Sequence, residues 1–346
     1  MTLDIARPSV TRRAMPYGIS VLAAFIVVGA LIWVLGHDPI EAFRTVLSTS
    51  FKTKYGFIET LHKWVPILLL TLAFAIPLSA GRFNIGGEGQ LLLGAVGAVS
   101  VGITQPNLPK VVLVPLALIV GILAGAFWAG ISAFLMDKFG VNEILSTVLL
   151  NFIAFQVVDM VALVAWPDTA SGVSSTLFIS KHAELPRFGT PSIHGGVLLA
   201  VLLCVAVVVA DRKSSLGFEL RAVGSNARAA FTNGIRVDRM AVGGLVVGGA
   251  FGGLAGAIET LGVHQRLIEG MQSNYLVLGI IVALIARGNL LWAPFVAFGI
   301  SVLEVGASSM QRTVGVPTEM VLIIEALILI FLLLSDVVAL KLRKLA

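Results

Sequence analysis

Six stretches of this chain contain no Asp, Glu, Lys or Arg over lengths that match or approach a membrane span: 14 to 36, 64 to 81, 89 to 109, 111 to 136, 188 to 210 and 270 to 286. Four more carry one acid each: 144 to 166 with Asp159, 240 to 265 with Glu259, 288 to 311 with Glu304, and 320 to 335 with Glu325. About 20 apolar residues cross a bilayer as helix, because inside hydrocarbon the backbone must satisfy its own hydrogen bonds. The expectation is an all-α integral membrane protein of about ten transmembrane helices. Composition agrees, with 57% of the 346 residues hydrophobic and 12% charged, against roughly a quarter charged in soluble domains. The longest polar gaps are 37 to 63, 167 to 194 and 211 to 239. Each falls short of the roughly 50 residues of a minimal independent domain, which leaves no room for a large catalytic or ATP-hydrolysing domain in this sequence.

Read this way, residues 1–346 form a single transmembrane domain: a first helix at 14 to 36, helices two to six between 64 and 210, a cytoplasmic loop at 211 to 239, and helices seven to ten between 240 and 335. With the N-terminus inside, the inner segments hold Arg7, Arg12, Arg13, Arg82, Lys138, Arg212, Lys213, Arg221, Arg228, Arg236, Arg239, Arg287, Lys341, Arg343 and Lys344, which is 15 of the 24 basic residues. Inner loops concentrate Lys and Arg, so both termini are expected in the cytoplasm. The uncharged run after Arg13 is long for a signal peptide and ends without a small-residue cleavage pattern, so a retained first helix is expected. Cys204 has no second cysteine for a disulfide or metal site and reads as a small packing residue. The net charge of +5 is not laid out as a basic stripe, and no nucleic-acid partner is expected.

Two segments break the apolar pattern. Around 77 to 90, Pro77 and the stretch SAGRFNIGGEGQ interrupt a short span before the run resumes at Leu91. Irregular backbone at membrane depth is tolerated where it faces protein or a water-filled cavity, and broken helices point to transport pathways. An ordinary cytoplasmic turn, which Arg82 favours, is the other reading, and both stay open. In the second segment, 211 to 239, Asn226 is placed to cap a short helix through Ala229, Ala230 and Phe231, with Gly234 ending it in the left-handed conformation. Such a helix suits docking into a groove on a soluble partner. A loop whose arginines meet anionic headgroups is the alternative. Gly244, Gly248, Gly252 and Gly256 recur every four residues and predict a flat stripe for close helix packing.

No GxxxxGK[ST] phosphate loop, HExxH pair or nucleophile-and-base constellation occurs. The chain is therefore expected not to be an enzyme, with no catalytic or metal residues, and an intramembrane enzyme is the weakest reading. The four membrane acids are expected in the outer halves of their helices. An ionised carboxylate at the bilayer centre costs about 3 kcal/mol on insertion scales, so it faces a cavity or a partner. Glu259 and Asp159 are expected near enough to the headgroups to be solvated, whereas Glu304 and Glu325 are expected to line a polar vestibule.

The stretches DPIEAFRTVLSTSF at 38 to 51, FNIGGEGQLLLGA at 83 to 95, VNEILSTVLLNFIA at 141 to 154, GFELRAVGSNARAAFTNGI at 217 to 235, LAGAIETLGVHQRL at 254 to 267, FGISVLEVGASSMQ at 298 to 311 and VPTEMVLIIEALILI at 316 to 330 cover nearly the whole chain in order. Together they resemble the permease subunits of bacterial ABC importers of the ribose, branched-chain amino acid and nucleoside group, and most closely the nucleoside branch. The resemblance implies a multi-pass protein of the bacterial inner membrane that pairs with a second, homologous permease, as a heterodimer. It further implies a cytoplasmic ATPase subunit carrying ATP and Mg, with no cofactor on this chain, and an extracytoplasmic substrate-binding protein. The loop from Gly217 to Gly234 becomes the element that couples to the ATPase, with Gly217, Glu219, Arg221, Gly224, Asn226, Ala229, Ala230 and Gly234 as its residues. The pathway residues implied are Phe83, Asn84, Glu88, Gln90 and Asn151, joined by Glu304 and Glu325. Asn142 and Glu143 are weaker candidates that equally suit a helix cap. Glu325 stands where the family pattern leads one to expect an amide, which bears on cargo rather than fold.

A nucleoside pairs a ribose with a flat base, so Phe83, Phe152, Phe155 and Tyr275 are candidates for an aromatic slot. A simple sugar or sugar-like cargo on the same architecture is the second reading. A transporter driven by an ion gradient, with the buried acids as coupling sites, is the third.

Overall fold

The computed structural model describes residues 10–170 and 172–345; Arg7, counted above with the inner basic residues, lies outside the described residues. The chain runs as helices α1 (Val10–Val34), α2 (Pro39–Lys52), α3 (Lys54–Ser79), α4 (Gly87–Thr104), α5 (Lys110–Phe139) and α6 (Glu143–Met160). After a hairpin of strands β1 (Arg187–Phe188) and β2 (Ile193–His194) come α7 (Gly196–Lys213), α8 (Ser215–Ser225), α9 (Ala227–Thr232), α10 (Val237–Ile258), α11 (Tyr275–Ile285), α12 (Ala293–Val314) and α13 (Glu319–Leu345). Both α6 and α10 end in a π-helical turn, Val161–Ala165 and Glu259–His264. Among the described residues, six helices can cross a membrane by length and composition: α3, α4, α5, α12, and α6 and α10 with their π turns. The pair α1 and α2, bent by 118°, makes a seventh if counted as one span. The chain is thus an all-α membrane protein, with one small hairpin among the described residues.

Two compact units divide the fold. The larger, Ile58–Ser301, is organised on α4, α5 and α10, whose glycines let the backbones touch. A β-carbon at Gly256 would overlap the Leu91 carbonyl of α4, and one at Gly253 would overlap the Gly121 carbonyl of α5. Gly244 makes only ordinary contact with Pro77, but at Gly248, Gly252 and Gly256 the predicted stripe does what small residues do in membranes, where helices gain by close packing rather than by escaping water. It faces α3 as well, since a β-carbon at Gly248 would stand 2.5 Å from the Ala73 carbonyl oxygen. Gly249 and Gly253 form a second stripe, toward α5.

The smaller unit, Met1–Phe57 with Val302–Ala346, packs α1 on α13. Asp38 caps α2 by accepting from the N–H of Ile40 at 2.8 Å, Phe25 meets Phe43 edge-on at 5.4 Å, and the Ser50 hydroxyl donates to the Val302 carbonyl.

Several boundaries differ from the sequence expectation for physical reasons. The gap 37 to 63 contains α2 and the first turns of α3, because a helix persists past its apolar core into polar residues such as Glu59 and Lys63. The run 188 to 210 begins as the hairpin and becomes helical only at Gly196. Pro77 does not end α3, which continues to Ser79.

Candidate functional site

The interruption after α3 is a buried connection. Gly81, at φ +71°, turns the chain so that the Arg82 N–H donates back to the Pro77 carbonyl, a glycine-ended helix terminus. The chain then re-enters the bundle with Asn84 at 0% and Gln90 at 1% exposure. The two amides pair reciprocally: Asn84 Nδ2 donates to Gln90 Oε1 at 2.9 Å, and Gln90 Nε2 donates to Asn84 Oδ1 at 2.7 Å. Asn84 also donates to the Ala73 carbonyl of α3 and accepts from the Gly86 N–H. Asn151 of α6 completes the cradle, accepting from the Gly89 N–H at 2.9 Å and donating to the Ile85 carbonyl at 2.8 Å. Thus Asn84, Gln90 and Asn151 come together, and they satisfy the otherwise orphaned backbone groups of the irregular stretch and of the first turn of α4.

Phe83 and Glu88, the other two pathway candidates of this segment, stand at its margin. Phe83 is 40% exposed and packs against Phe74, and Glu88 is half-buried. Asn142 caps α6 through the N–H groups of Ile144 and Leu145, and Glu143 lies 3.6 Å from Arg82. One residue that the sequence reasoning missed is Trp128 of α5. Its Nε1 is buried with no hydrogen-bond partner among the described residues, facing Gly89 beside Asn151. Nothing in the local sequence distinguishes it from a packing aromatic. Of the other aromatic candidates, Phe152 meets Phe155 edge-on, and Tyr275 lies beneath the Lys63 ammonium at 4.9 Å.

The second candidate region is the pair α8 and α9. Asn226 caps α9 by accepting from the Ala229 N–H at 3.0 Å, and Gly234, at φ +83°, closes it. The preceding helix α8 was not anticipated; Ser214 caps it. Ala80, Val223 and Ala230 form a small buried cluster with Leu220, Ile235 and Met240 around it. Gly224 sits on the end of α3, where a β-carbon would overlap the Ser79 carbonyl, and Gly217 sits equally close to Asp211. Arg221 is held by the Asp211 carboxylate. Gly217, Gly224 and Ala230 are therefore packing positions, while Asn226, Ala229, Gly234 and the 72%-exposed Phe231 are open, with Glu219 half-buried.

The acids fall in different settings. Glu259 is 2% exposed, with Oε2 3.5 Å from His264 Nε2. This corrects the expectation that it is solvated near the headgroups: the π turn brings residues five apart onto one face. Asp159 and Glu304 are half-buried, and Glu325 is 0% exposed. Glu304 and Glu325 belong to the smaller unit, whereas Asn84, Glu88, Gln90 and Asn151 belong to the larger.

In the larger unit the segment after α6 is tied to the one after α10. Asp168 pairs with Arg266 at 3.0 Å, the Arg266 guanidinium covers the Phe178 ring at 4.7 Å, and the Thr176 N–H donates to the Leu267 carbonyl.

Residues 56–333 match the family model described as branched-chain amino acid transport system / permease component. The chain is 36% identical over 343 residues to the glucose ABC transporter permease protein TsgB13 of Haloferax volcanii, covering 94% of this chain and 90% of that one. It is 33% identical to the guanosine ABC transporter permease protein NupP of Bacillus subtilis, over 88% of each chain. It is 28% identical to the nucleoside ABC transporter permease protein NupB of Lactococcus lactis, over 96% and 94%. Each of the three organisms has a second such permease that the chain matches over a shorter stretch. No solved structure matches.

Proposed function

Because the chain belongs to the family of branched-chain amino acid transport system permease components, we propose that it is the membrane-spanning subunit of an ATP-driven importer that carries nucleosides delivered by an extracytoplasmic binding protein. It works as a heterodimer with a second, homologous permease in the bacterial inner membrane, with about ten spans, both termini in the cytoplasm, and ATP and Mg on a partner ATPase. The paired permeases of its relatives support the heterodimer.

The observation that carries the reading is the seat of α8 on the end of α3. Gly224 rests on Ser79, and Ala80 joins the cluster beneath α9. Four residues on from Ala80, the same segment becomes the Asn84–Gln90 connection. A push on the exposed face of α9 by an ATPase is thereby transmitted to the backbone at the proposed pathway. In this reading Phe83, Glu88 and Trp128 meet the cargo, and Asn84, Gln90 and Asn151 hold the wall in place. Glu304 and Glu325 join the pathway on their chemistry alone, as carboxylates in membrane helices.

A simple sugar is the second reading, favoured by the 36% identity to a glucose permease. Uptake of labelled guanosine, uridine and glucose by cells with and without the gene, in a background lacking other nucleoside systems, separates the two. Loss of nucleoside uptake on deletion, with glucose uptake unchanged, supports the first reading. Loss of glucose uptake alone establishes the second.

A further inference from the structure

Beside α8 lies a groove of about 270 Å³ that neither the α3–α4 connection nor the exposed face of α9 uses. Four helices wall it: Ile76 of α3, Val207 of α7, Leu220 of α8, and Val247 and Phe251 of α10. It is widened at Gly243, where a β-carbon would meet nothing within 4 Å. Leu216 and Val247 on its wall are 61% and 45% exposed, so it opens outward from the bundle.

The groove has a direction. Arg239 lines it in the first turn of α10, and Phe251 lines it 12 residues further on, about 18 Å along a helix rising 1.5 Å per residue. One leaflet of a bilayer with a hydrocarbon core of about 30 Å is about 15 Å deep. The apolar slot therefore runs one leaflet deep from the level at which its helices end. Its mouth is basic. Arg212, Lys213 and Arg236, all exposed, flank lining residues in the chain, and Asp211 on the lining is already engaged by Arg221. That leaves the Arg239 guanidinium without a neutralising carboxylate from Asp211.

A one-leaflet apolar slot with cations at its mouth matches an acyl chain carrying an anionic head. We propose that this groove binds one anionic glycerophospholipid, its acyl chain along Leu220, Val247 and Phe251 and its phosphate on Arg239. A purely apolar ligand would leave the cations unmatched, and a soluble anion would leave the apolar wall wet. The lipid would brace α8 against α10, next to the seat of α8 on α3.

The test is native mass spectrometry of the full chain in mild detergent, titrated with phosphatidylglycerol and phosphatidylcholine of identical acyl chains. The expected result is one retained phosphatidylglycerol, held about tenfold more tightly than phosphatidylcholine. Arg239→Gln should abolish that preference, and Gly243→Leu, which fills the slot, should weaken both lipids. Lys110→Gln removes a charge at the far end of α5 and should change nothing. Equal retention of the two lipids, or unchanged phosphatidylglycerol binding in both groove variants, overturns the proposal. So does loss of the bound lipid when the chain is copurified with its partner subunits, which would make a protein the occupant.

Discussion

Asn84 and Gln90 grip each other through two amide hydrogen bonds, 2.9 and 2.7 Å long, at a point where neither side chain is more than 1% exposed. The pair bridges the end of an irregular stretch and the first turn of α4. Removing either partner leaves a buried amide with unmade bonds, a loss of about 1–3 kcal/mol per orphaned group. Asn84→Ala and Gln90→Ala should each lower the unfolding midpoint in detergent, and the double variant should lose clearly less than the two single losses added. Additive losses would mean that the two amides act independently.

The backbone contact between α10 and its neighbours makes a sharp contrast between glycines. Gly256→Ala puts a methyl into the Leu91 carbonyl, and overpacking of this kind costs about 1–3 kcal/mol. Gly130→Ala in α5, where a β-carbon meets nothing within 4 Å, should be neutral or stabilising by up to about 1 kcal/mol. Thermal denaturation of the purified chain reads both, and equal behaviour of the two variants would contradict the contact.

Trp128 separates a packing aromatic from a donor. Trp128→Phe keeps most of the ring and removes a buried N–H that has no partner among the described residues, so stability should hold or rise. If the N–H serves cargo, half-saturation for uptake rises severalfold while the midpoint of unfolding stays. Unchanged uptake returns Trp128 to a packing role.

Asn226→Ala removes the cap of α9, worth about 1 kcal/mol locally. In proteoliposomes holding the assembled transporter, ATP hydrolysis stimulated by cargo should fall, with binding of cargo to its delivery protein unaltered. Full stimulation in the variant would detach α9 from coupling.

Glu304→Gln and Glu325→Gln keep size and remove charge. As pathway residues they should alter uptake rate or affinity, and unaltered uptake in the double variant would remove both from the pathway. Collapsing the ion gradient at constant ATP should leave wild-type uptake intact.

Six of the ten expected spans, those of α3, α4, α5, α6, α10 and α12, were legible because uncharged apolar runs have few alternatives, and the ends of α9 because Asn226 and Gly234 have side chain and backbone chemistry suited to those positions. Less was legible where the signal is relational. Helices α2 and α8 are mixed in composition and take their place from what they pack on, such as Gly224 on Ser79. The amides of Asn84, Gln90 and Asn151 stood out in sequence, but the bonds of Asn151 to the backbone of Ile85 and Gly89 join α6 to a stretch more than 60 residues earlier, which no local pattern records. Glu259 was misread because its partner His264 is five residues away, a spacing that an α-helix would turn aside and a π turn aligns.

The seam of α4, α5 and α10 has one more consequence. Where backbone meets backbone across glycine, no flexible side chains remain to cushion a shift, so sliding one of these helices by even an ångström drives carbonyls into α-carbons. The trio is thus expected to move as one rigid piece, and any bending on the proposed transport cycle to concentrate where the chain is less tightly meshed.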